Sequence, residues 1–138
     1  MKNILLISLL FTSFLSCAQS KVTTDEKLLG KWKVLSKIET DKTNGVITEQ
    51  DTDLYTEGEK TYEFTKKNTV IIIQGHGKHR EELPVRSQGD KLFIGKYKAN
   101  KTPYIVSYEE DHATLLKTEI KTKKGKTVVE TEEVSLQR

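Results

Sequence analysis

Residues 60–88 read KTYEFTKKNTVIIIQGHGKHREELPVRSQ, and the rhythm of this stretch sets the fold class. Tyr62 and Phe64 fall on one face of a short run, as do Leu83 and Val85, while Val70-Ile71-Ile72-Ile73 is apolar on both faces. Side chains that alternate with period two mark strands, and a short run apolar on both faces marks a buried one. Lys66-Lys67-Asn68 and Gly75–Lys78 punctuate the runs. Links this short join only antiparallel neighbours. Pro84 removes a ladder donor and so predicts an edge or a bulge in its strand.

The same pattern extends both ways. Downstream, Lys91–Lys98 is a strand, Pro103–Glu109 aligns Tyr104, Val106 and Tyr108 on one face, and Thr114–Lys121 puts Leu116 and Ile120 opposite Leu115. Thr127–Leu136 closes the series. Upstream, Lys31–Glu39 alternates, with Trp32, Val34, Ser36 and Ile38 on one side. Ahead of it, Thr23–Leu29 reads as one short helical turn, with Thr23 as N-cap and Glu26 three residues on, ended by Gly30. Thr40–Glu59 is a long polar stretch in which Asn44-Gly45 allows a minor hairpin. The total is about eight strands in an all-β, antiparallel up-and-down meander, which removes its edges by closing into a barrel. A two-sheet sandwich would need long crossing connections, and none follows residue 60. Eight strands leave an interior that side chains fill or that holds one small ligand.

Composition fits one lean domain: 138 residues, 35% hydrophobic and 31% charged, with 23 basic and 20 acidic residues for a net charge of +3. That balance singles out no nucleic-acid partner. The chain is also unlike a polytopic membrane protein or a disulfide-stapled one, because its single cysteine is Cys17. Residues 1–17 read MKNILLISLLFTSFLSC. Lys2 precedes an apolar run of about 12 residues, too short for a stable span. Phe14-Leu15-Ser16-Cys17 resembles the lipobox of bacterial lipoproteins, which implies removal of residues 1–16 and lipidation of Cys17. The organisation expected is a signal peptide (1–16), a lipidated cysteine and tether (17–23) and a barrel domain (24–138). Ala18 follows the cysteine with no acidic cluster, which by resemblance to lipoprotein sorting implies a lipid-anchored envelope protein of the outer membrane facing the periplasm.

Leu28-Leu29-Gly30-Lys31-Trp32-Lys33-Val34 resembles the opening of small bacterial lipocalin-like lipoproteins, and Tyr62–Val70 resembles their second signature of aromatic strand, polar turn and apolar strand. The resemblance spans roughly residues 24–136. It implies that Gly30 lets the chain turn tightly into the barrel, that Trp32 plugs its closed end, and that 40–59 overhangs the open end as a lid. The chain lacks a T-D-Y between its sixth and seventh strands, where it has Tyr108-Glu109-Glu110-Asp111. The arginine that stacks on the tryptophan in that family has no counterpart within the final strand, since the only late arginine is Arg138, the last residue.

Chemistry-bearing groups are sparse. His76 and His79 sit on a turn near Glu81 and Glu82, where two histidines three apart face opposite ways along a strand, so a solvated hairpin is expected rather than zinc. Glu109-Glu110-Asp111 and Glu130, Glu132 and Glu133 read as surface charge, and no serine has a nucleophile-elbow context. The chain is therefore read as a non-enzyme without a cofactor, and as a monomer. Tyr62, Phe64, Tyr104, Val106 and Tyr108 are the candidate ligand-binding residues, because tyrosine joins an apolar ring to a polar tip. Two functions follow. One is a membrane-anchored module that binds a small hydrophobic or amphipathic molecule. The alternative is a filled barrel acting as a structural or protein-interaction lipoprotein.

Overall fold

The computed structural model describes residues 23–138, and the expected signal peptide, Cys17 and most of the tether lie outside the described residues. Nine strands follow in order: β1 (Gly30–Thr43), β2 (Val46–Leu54), β3 (Lys60–Phe64), β4 (Thr69–Gln74), β5 (His79–Gln88), β6 (Lys91–Ile94), β7 (Tyr104–Glu109), β8 (His112–Lys123) and β9 (Lys126–Gln137). Every pairing is antiparallel, and eight strands close through β1 and β9, from Lys33 opposite Gln137 to Lys42 opposite Val129. The chain is an eight-stranded up-and-down barrel with one extra strand. Its inward side chains are apolar and its outward ones, such as Lys31, Glu63 and Glu82, are charged and exposed. A membrane-spanning barrel shows the reverse.

β1 is the hub. One of its edges pairs with β3 over Gly30–Lys33 and then with β2 over Ser36–Thr43. β2 and β3 thus form one line along β1, interrupted at residues 55–59. The stretch 40–59 is not a lid loop. It is the end of β1, the Asn44-Gly45 turn with φ of 52° and 75°, and β2. Two consecutive positive φ values make the type I′ turn that matches strand twist. With the outer halves of β8 and β9, this ribbon stands beyond the barrel as a four-stranded apron, β2-β1-β9-β8.

A bulge between Val34 and Ser36 in the β1–β9 ladder decides what the apron shows to each side. One extra residue reverses the alternation. Trp32 and Val34 point inward, but Ser36 and Ile38 do not continue their face. Lys37 is opposite core Val134, so Lys37, Glu39 and Asp41 carry on the inner surface. The inner face changes from apolar to charged at this point.

Residues 23–29 form no helix. Thr23 makes an antiparallel bridge to Ser87, whose N–H donates to the Thr23 carbonyl at 3.1 Å. That extended pairing keeps Thr23 from capping a helix. Two successive turns follow, Leu28 N–H to Asp25 O at 2.9 Å and Leu29 N–H to Glu26 O at 3.2 Å, and Asp25 Oδ1 accepts from Lys27 N–H at 3.0 Å. Gly30 then adopts φ of +108°, with open space where a Cβ would stand, so backbone conformation rather than crowding requires glycine.

This segment seals one end of the barrel. Leu28 and Trp32 are buried, and the indole Nε1–H donates to Leu28 O at 2.7 Å. Asn68 Oδ1 accepts from Thr24 N–H at 2.8 Å, Ser87 Oγ from Asp25 N–H at 2.9 Å, and Asp25 Oδ2 from the Tyr108 hydroxyl at 2.9 Å. Arg138 completes the seal. Its guanidinium lies 4.3 Å from the Trp32 ring and donates to the carbonyls of Lys27 and Leu29. The last residue therefore fills the stacking position that no residue within β9 fills.

Pro84 marks a local edge and not a bulge. β4 pairs with one side of β5 as far as Pro84, but on the other side β6 pairs only from Val85, so the proline ends a stretch of β5 that has no strand partner on that side. β6 stops at Ile94, short of the expected Lys98, and touches β7 at only two paired positions. This is the thinnest seam in the wall, and residues 95–103 bridge it.

Candidate functional site

The middle of the barrel is packed by Phe64, Val70, Val85, Leu92, Leu115, Val134 and Leu136, all buried. Towards the end away from Trp32 the packing opens. Tyr62 of β3, Ile72 of β4, Leu83 of β5, Ile94 of β6 and Tyr104 of β7 are only half-buried, and they surround a cup of about 320 Å³. Five successive strands contribute one inward side chain each, as period two requires. Lys101, Thr102, Lys117 and Glu119 form the rim. The volume is at the small end for a ligand site, and the cup is open to solvent rather than enclosed.

Beyond the rim, the inner face of the apron is a charged trough of about 330 Å³ lined by Glu39, Asp41, Glu49, Asp51 and the lysines of β8. Lys123 pairs with Asp41 at 2.7 Å and with Glu130, Lys121 pairs with Glu119 at 3.0 Å and with Glu130, and Lys117 lies 3.4 Å from Glu132. These pairs are largely solvated and add little stability each. They make the approach to the cup polar, while the cup itself is apolar.

The sequence-derived candidates divide along the barrel axis. Tyr62 and Tyr104 line the cup. Phe64 lies beneath Tyr62, ring to ring at 6.3 Å and 73°, within the packed core. Val106 is buried at mid-height, and Tyr108 is at the sealed end with Asp25 beside it and the Lys27 ammonium 5.5 Å from its ring. The three β7 residues do share an inward face, but a strand spreads alternate residues over about 13 Å from first to last, so Tyr108 is far from the cup. Ile72, Leu83 and Ile94 are lining residues missed in the sequence. The signal was present: each is two residues along from a core position, Val70, Val85 and Leu92 respectively. His76 and His79 are exposed at the β4–β5 turn, and among the described residues no three His, Cys, Asp or Glu side chains gather as a metal site.

The tyrosine hydroxyls are held in their neutral form. Burial pushes Tyr62 up to about 12 from 10.0, with the nearby Glu132 and Tyr55 adding to it. Burial raises Tyr104 as well, helped by the hydrogen bond it donates to Glu132, and burial with the bond to Asp25 raises Tyr108. A group whose folded pKa lies above its unfolded value stabilises the fold fully below the unfolded pKa and loses that contribution as pH rises through the folded one. Stability should therefore hold to pH 10.0 and fall as pH rises towards about 12. Urea midpoints measured alongside tyrosinate absorbance check this. Tyrosines that ionise at their ordinary value without loss of stability would show the hydroxyls to be free.

No protein-family model matches the chain, and neither a curated protein nor a solved structure matches it. The functional reading therefore rests on geometry.

Proposed function

We propose that this chain is a lipocalin-like envelope lipoprotein, tethered through Cys17, that binds a small hydrophobic or amphipathic molecule in the cup. The cup carries the proposal: five inward side chains from β3 to β7 leave an apolar recess of about 320 Å³ above a packed core. An apolar recess open to solvent favours a guest that takes its apolar surface out of water. Tyr62 and Tyr104 add polar tips for an amphipathic guest, and the Gly30, Trp32 and Arg138 arrangement at the sealed end supports the lipocalin-like reading. The role is binding rather than catalysis, and the protein acts as a monomer without a cofactor.

Thr23 leaves the barrel at the sealed end. A tether from Cys17 to Thr23 reaches at most roughly 20 Å, so in this reading the sealed end faces the membrane and the cup opens away from it. Two or three acyl chains on one cysteine hold far more firmly than one. Replacing Cys17 with Ser is expected to release the protein from membranes or leave it unprocessed. A processed variant that still fractionates with membranes would remove the anchor assignment.

Saturable displacement of an environment-sensitive fluorescent fatty acid from the wild-type chain tests the cup. The second reading, an interaction lipoprotein, draws on the outer face of the apron, where Leu54 and Ile120 are 77% and 74% exposed. An absence of saturable binding favours it.

A further inference from the structure

We propose a second site on the outer wall, a groove at the seam between β5, β6 and the 95–103 bridge, that binds a small organic oxyanion: a phosphate, sulfate or carboxylate carried on a flat apolar group. The groove holds about 270 Å³ and is lined by Pro84, Phe93 and Tyr97 with Arg86, Lys98 and Lys101. It meets the cup only at Lys101, which stands on the rim of both. Otherwise the two lie on opposite sides of the wall, since Arg86 and Phe93 face each other across β5 and β6 on the outward side, whereas their neighbours Val85 and Ile94 face each other on the inward one.

The arrangement of cations selects the ligand. The Arg86 guanidinium packs against two rings, 4.4 Å from the centroid of Phe93 and 4.9 Å from that of Tyr97. Contacts with rings use none of the guanidinium N–H donors in hydrogen bonds to oxygen, and a guanidinium binds an oxyanion through two parallel hydrogen bonds. Among the described residues no carboxylate pairs with Arg86, Lys96, Lys98 or Lys101, although Lys33, Lys37, Lys117, Lys121 and Lys123 all have acidic partners. Lys101 donates to the Lys96 carbonyl at 3.4 Å, and burial, then Lys98 and Lys117, hold its ammonium below the usual lysine range. A bound anion would relieve that repulsion. Tyr97 is 73% exposed and stands at the groove as a surface for a planar group. Charge alone would suit inorganic phosphate, but the ring-lined wall favours an anion with an apolar body.

Calorimetric titration of the full chain in a non-ionic detergent, with phenyl phosphate as the probe, tests this. Saturable binding is expected, roughly tenfold tighter than either inorganic phosphate or phenol, because each charge-assisted bond and each ring contact adds to the other. Arg86→Lys keeps the charge but loses the fork and the stacking, and should weaken binding about tenfold. Replacing Lys96 and Lys98 together with Gln, which leaves the shared Lys101 in place, should weaken it further and flatten its dependence on salt. Ile72→Trp, which alters only the cup, should leave it unchanged. An absence of saturable binding, equal binding by Arg86→Lys and the wild type, or loss of binding in Ile72→Trp would each overturn the proposal. The fatty-acid displacement reads the cup independently, so either site can fail alone.

Discussion

Replacing Trp32 with Ala is expected to cost the domain about 3–5 kcal/mol, as deleting a large buried aromatic does. Trp32 is 2% exposed and joins three parts of the sealed end. Its ring packs with the core, its Nε1–H satisfies the Leu28 carbonyl at 2.7 Å, and its outer face carries the Arg138 guanidinium at 4.3 Å. Removing it leaves a cavity, orphans a buried carbonyl and frees the cation. Native domains hold about 5–15 kcal/mol in all, so the loss would approach unfolding in a lean chain. Trp32→Phe separates the contributions: it keeps most of the ring and removes the donor, for about 1–3 kcal/mol. Urea titration reads both. A loss below about 1 kcal/mol for Trp32→Ala would show that the tryptophan does not hold the sealed end together.

The barrel was legible because its turns are written in residues with a single use. Asn44-Gly45, Lys66-Lys67-Asn68 and Lys123-Lys124-Gly125 each punctuate period-two runs, and the structure turns at every one. What stayed hidden depends on pairing across the sheet. No local pattern announces the bulge after Val34, because Ser36 and Ile38 extend the alternation smoothly. The slip appears only when β9 lies alongside, and it turns the apron's inner face into a charged trough. The stretch 40–59 reads as a polar loop with only a minor hairpin at Asn44-Gly45; the hairpin is there, but it is longer, for a similar reason. β2 is exposed on both faces and apolar only at its ends, at Val46, Ile47 and Leu54, so it carries no hydrophobic period and owes its place to the turn and to backbone pairing with β1. Arg138 lies past the final strand in the sequence, yet a barrel brings the end of β9 beside the start of β1.

The candidate site was legible in its residue types and not in its depth. Tyr62 and Tyr104 belong to the cup, but strand alternation fixes only which side a residue faces, and height along the axis comes from register. Tyr104 lines the cup and bonds to Glu132, whereas Tyr108 bonds to Asp25 at the sealed end.

Filling the cup should weaken binding while sparing the fold. Ile72 and Leu83 are half-buried on adjacent strands at its wall. A tryptophan at either position extends into the recess instead of into packed atoms. In a closed core such overpacking costs about 1–3 kcal/mol, and here the free volume of about 320 Å³ should absorb most of it. That volume is equivalent to about ten waters, so one added ring system takes a large share of the space a guest needs. Ile72→Trp and Leu83→Trp are each expected to weaken the fluorescent fatty-acid probe by tenfold or more, about 1.4 kcal/mol, with urea midpoints near the wild type. Ile120→Trp, on the exposed outer face of the apron, is the control and should leave the probe untouched. If the cup variants bind as the wild type does and Ile120→Trp does not, the probe is reading the outer apron. The barrel would then work as an interaction surface with a filled interior.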